Sequence, residues 1–66
     1  MNGNEKGFIM LTHPLSGGKL AVRADLVILV EEMGDGNTLV CLGEESLTCK
    51  ESVEDVVSLI QKALCI

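Results

Sequence analysis

The chain has 66 residues, ten acidic against five basic for a formal charge of −5, and 47% hydrophobic residues among which Phe8 is the one aromatic. Such a length allows one domain over residues 1–66, which buries only about 60% of the surface of its unfolded chain, so an aliphatic core is thin and apolar residues are left over. The negative charge repels polyanions, and one aromatic ring is no platform for stacking bases, which together exclude nucleic acid as a partner.

The lead Met1-Asn2-Gly3-Asn4-Glu5-Lys6 is polar, and residues 1–7 are expected to be flexible. It precedes no apolar signal core, and the longest apolar run, residues 26–30, is far too short to span a bilayer, so no membrane partner is expected. Residues 8–12 read as a first strand. Pro14 and Gly17-Gly18 then force a loop. In residues 19–23, Leu20 and Val22 alternate with Lys19, Ala21 and Arg23, the period of a second strand. Ala24-Asp25 reads as a short turn before a third strand over 26–32. Gly34-Asp35-Gly36-Asn37 is the strongest turn signal, since glycine and asparagine tolerate positive φ, and it predicts a hairpin into a fourth strand over 38–42. Gly43-Glu44-Glu45 turns into a fifth strand over 46–50.

Ser52 then opens a helix over about 52–64. Its hydroxyl suits an N-cap, and Glu54 and Asp55 place negative charge on the positive end of the helix dipole. Val53, Val56, Val57, Ile60, Ala63 and Leu64 form an apolar stripe at three-and-four spacing, with Leu59 at its edge. The expected fold is α+β, mainly β: a bent five-stranded antiparallel sheet with one C-terminal helix.

One helix covers one face of a sheet, yet the first and third strands are apolar at consecutive positions, as in sheets buried on both faces. A second copy of the chain is the expected cover, so the protein is expected to oligomerise through the sheet. A monomer with a few exposed aliphatics is the plainer alternative. Ile28 and Leu29, as neighbours on one strand, are expected to point to opposite faces, one toward the helix and one toward the partner copy.

Candidate chemistry is sparse. His13, the one imidazole, stands beside Pro14 and reads first as a turn residue. Ser16-Gly17-Gly18-Lys19 combines hydroxyl, glycines and ammonium but lacks the spacing of a phosphate-binding loop, so an ordinary turn is the better reading. Arg23 and Lys50 each end a strand on its outward parity, where copies in an oligomer would converge on an anionic ligand. The pairs Glu31-Glu32, Glu44-Glu45 and Glu54-Asp55 read as solubility charges. Cys41, Cys49 and Cys65 are odd in number and form no C-x-x-C pair, which points to a reducing, cytoplasmic setting, with Cys41 and Cys49 as small buried hydrophobes.

The pattern Ile9-x-Leu11-Thr12, Asp25-Leu26, Thr38-Leu39-Val40 and above all Lys50-Glu51-Ser52-Val53-Glu54-Asp55-Val56-Val57 resembles the FlbD-like family of small flagellar and swarming-motility proteins, over residues 9 to 64. Chains of this pattern are also similar to small phage-encoded sponges that capture nucleotide immune signals within symmetric oligomers. The sponge resemblance implies a non-enzymatic homo-oligomer without a cofactor or metal, binding a small anionic nucleotide through Lys19, Arg23, His13 and Lys50. It would act in the cytoplasm, that of the host if the chain is viral. The alternative it carries is a motility accessory acting through protein–protein contacts.

Overall fold

In the computed structural model, residues 7–65 are described, and the expected flexible lead over 1–6 lies outside them. The elements run β1 (Phe8–Thr12), β2 (Lys19–Arg23), a 3-10 turn (Ala24–Leu26), β3 (Leu29–Glu32), β4 (Thr38–Cys41), β5 (Ser46–Cys49) and α1 (Val53–Leu64). Five antiparallel-paired strands and one C-terminal helix make a mainly β, α+β fold, as expected. The strands do not form one continuous sheet: β1 and β2 pair in a two-stranded sheet and β3, β4 and β5 in a three-stranded one. The reason lies at Thr12. Its carbonyl accepts the amide of Lys50 at 3.0 Å, just past β5, but its own amide donates to the Glu51 carboxylate at 2.9 Å instead of to a strand partner. A side chain thus takes the place of the next ladder bond, and the sheet splits there.

The turns follow their residues. Leu42 donates to Glu45 across a two-residue loop at 2.7 Å, and Gly43 at φ +93° takes the first central position, which a type II′ turn reserves for glycine. In the β3–β4 hairpin Gly36 at φ +91° absorbs the left-handed step, and Asp35 accepts the Asn37 amide at 3.0 Å.

The third strand begins later than residue 26. Residues 24–26 wind into the 3-10 turn, and the Ile28 amide donates to the Cys41 carbonyl at 3.0 Å although Leu29 is the register partner of Cys41. Two residues opposing one is the arrangement of a β-bulge, and it breaks the in–out alternation. Ile28 (71% exposed) and Leu29 (47%) are both left on the surface, so neither is buried beneath the helix as expected, and Val27 and Val30 pack toward the core in their place.

That core joins Ile9, Leu11, Val22, Ala24, Val40, Cys49 and Val56. It fills the space between the inner faces of the two sheets and α1. Along the helix, Val56 is fully buried, with Leu59, Ile60 and Ala63 packed around it, whereas Val57 and Leu64 are exposed. The stripe is therefore rotated from the expected one, taking in Leu59 and leaving Val57 and Leu64 on a flank. The Ser52 hydroxyl accepts the Asp55 amide at 3.1 Å, the cap read from the sequence. Ser52→Ala is expected to cost about 1 kcal/mol, read as a lower urea midpoint, because the Asp55 amide loses its acceptor.

Candidate functional site

Thr12 is the hub around which three of the four expected ligand-binding residues gather. Lys19 stands opposite it in the β1–β2 ladder, His13 follows it in the chain, and Lys50 is bound to its carbonyl through the backbone. Lys19 and Lys50 are exposed and His13 is half-buried, so three residues with basic side chains stand at one corner of the backbone in a chain that is acidic as a whole. Arg23 is not among them. It lies at the far end of β2, four residues from Lys19 and therefore about 13 Å along the strand. There it faces Phe8 in the ladder and forks onto Asp25 at 2.7 and 3.2 Å. Both partners of that ion pair are about half exposed, so it contributes at most about 1 kcal/mol and yields readily to a competing anion.

His13 organises its own turn. Its amide donates to Gly18 at 2.8 Å, its carbonyl accepts from Gly17 at 3.0 Å, and its Nδ1 accepts the amides of Leu15 and Ser16, each at 3.2 Å. Ser16 Oγ takes the Gly18 amide at 3.1 Å. The amides of residues 15 to 18 are thus occupied within the loop, which is the ordinary turn that its spacing predicts. What His13 offers a ligand is Nε2, the ring nitrogen left over.

Glu51 is the residue of this corner that sequence reasoning did not single out. Its two carboxylate oxygens accept the Thr12 amide at 2.9 Å and the Thr12 hydroxyl at 2.8 Å, across 39 residues of chain. Burial pushes its carboxyl pKa up, but the two Thr12 hydrogen bonds and the nearby Lys19 charge outweigh that and hold it below the usual carboxylate value. No local pattern marks such a contact in advance. Beside it, Cys49 is fully buried and its thiol pKa is pushed up by burial and by the Glu51 charge, which fits the small hydrophobe expected there.

A shallow apolar groove of about 300 Å³ lies between β3 and α1, lined by residues 27–30 with Val57, Ile60 and Gln61. None of the four candidate residues belongs to it. Among the described residues no helix is long and apolar enough to cross a membrane.

Fold and corner together describe a small, mainly β protein in which Lys19, His13 and Lys50 stand near Thr12 with the Glu51 carboxylate among them, and in which aliphatic side chains on β3 and α1 are exposed. Compared with protein-family models, with curated proteins and with solved structures, the chain gives no match.

Proposed function

We propose that this protein is a non-enzymatic binding module that works as a homo-oligomer and sequesters a small anionic nucleotide, in the manner of a phage-encoded anti-defence sponge. The observation that supports it is the corner at Thr12, where Lys19, Lys50 and the outer nitrogen of His13 border solvent on a chain of net charge −5. Exposed ammonium groups attract a phosphate over roughly a Debye length and bind it by charge-assisted hydrogen bonds. Arg23 joins the same ligand only where a second copy brings it near.

Titration calorimetry with cyclic dinucleotides and cyclic ADP-ribose tests this. A sponge gives a saturable heat that weakens as salt is raised and returns its ligand intact when the protein is heated. Lys19→Ala and Lys50→Ala are each expected to weaken binding about tenfold, the loss of one hydrogen bond to a charged group. Absence of heat with every nucleotide, or conversion of the ligand to another species, would overturn the reading.

A second reading is a motility accessory of FlbD-like type acting through protein contacts. The aliphatic side chains left exposed on β3 and α1 favour it. Flagellar genes beside its own would speak for this reading, and viral genes for the sponge.

A further inference from the structure

β3 is an edge strand, paired with β4 on one side. The Met33 amide donates to Asn37 at 2.8 Å in line with the β3–β4 register, and hydrogen-bonded pairs alternate along an antiparallel ladder. Glu31 and Leu29 therefore direct their backbone groups toward β4, whereas Val30 and Glu32 direct theirs outward. An edge with outward amides and no proline is a template for another strand, with Glu31 and Glu32 as the charges that a pairing register must keep apart. The exposed side chains of Leu26, Ile28 and Leu29 lie on the strand and its approach, and exposed Val57 faces it across the groove.

We infer that β3 pairs with β3 of a second copy, antiparallel about a two-fold axis at Val30, joining two three-stranded sheets into one of six strands. This rests on the homo-oligomer part of the function proposed above and names its interface. The register is self-complementary. Val30 meets Val30, Leu29 lies opposite Glu31, and Ile28, whose own amide is already given to Cys41, lies opposite Glu32, so no acid directly faces an acid. A register centred on Glu31 would oppose two carboxylates and is disfavoured. Four exposed aliphatic residues amount to a few hundred Å², less than half of the ~800 Å² each partner gives to a standard interface. The paired backbone edges and the groove wall of Ile60 and Gln61 bring the face toward that size.

Light scattering on the full chain at micromolar to about 0.2 mM concentration, with hydrogen exchange of the Val30 and Glu32 amides, tests it. The wild-type chain is expected to scatter at twice 7.0 kDa or a multiple of that, with both amides protected, and dilution should release them before the core amides. Ile28→Asp is expected to stay folded by circular dichroism, since Ile28 is mostly exposed, and to weaken association at least tenfold. A wild-type monomer at the highest concentration overturns both this interface and the homo-oligomer reading, and leaves the edge to an extended segment of a different protein. An oligomer that survives Ile28→Asp, with Val30 and Glu32 exchanging freely, overturns this interface alone.

Discussion

Leu11→Ala is expected to leave most of the chain unfolded at 25 °C. Leu11, on β1 and paired with Leu20 of β2, is wholly buried in a core of seven buried hydrophobic residues among those described. Truncating a buried leucine costs about 2–5 kcal/mol, the lost transfer energy plus that of the cavity left behind. A core in a domain of this length rarely supplies more than about 3–5 kcal/mol in total. The two quantities are of the same size, so one substitution consumes nearly all the stability. Leu15→Ala is the control, because Leu15 is 92% exposed on the β1–β2 turn and its loss should change stability by less than about 0.5 kcal/mol. Urea unfolding followed by circular dichroism, at one fixed protein concentration because association also stabilises, separates them. Equal midpoints for the two variants would mean that the core is not where these residues place it.

The second large effect is pH-dependent. The Glu51 carboxylate holds the Thr12 amide and hydroxyl, and its folded pKa lies below its unfolded one. The sign follows from linkage: the unfolded chain binds this proton more readily, so the contribution is fully present above the unfolded value near 4.5 and is lost as pH falls through the folded value. Glu51→Gln keeps one acceptor and loses the charge, and is expected to cost about 2 kcal/mol at pH 7, the scale of a hydrogen bond to a charged group. The gap between wild type and Glu51→Gln should then be smaller at an acid pH, below 4.5, than at pH 7. A gap between them that is the same at both pH values would show that the carboxylate's charge is not what holds the two sheets at Thr12.

The corner was partly legible in the residues. The backbone of Lys19, His13 and Lys50 lies next to Thr12, which pairs with Lys19, precedes His13 and bonds Lys50, whereas Arg23 stands at the other end of β2. Strand parity puts Lys19 and Arg23 on one face, but four residues of strand, about 13 Å, separate the two charges. Glu51 escaped notice for a related reason: its partner is 39 residues away, and its own neighbours say only that a helix is about to begin.

Local chemistry by itself determined the elements. Ser52 with Glu54 and Asp55 set the helix start, Gly36 and Gly43 set the hairpins, a continuous apolar run set β1 and two-residue alternation set β2, because caps, positive φ and strand pattern act within a few neighbouring positions. Tertiary structure decided what those elements do to one another. The Glu51–Thr12 contact ended one sheet and began another, and the bulge against Cys41 put Ile28 and Leu29 on the same exposed surface. Packing against the sheets rotated the helix so that Leu59 turned inward and Val57 outward. Each of these depends on which distant backbone group wins a given hydrogen bond or which side chain fills a given gap, and that competition is settled only when the whole chain has closed around its core.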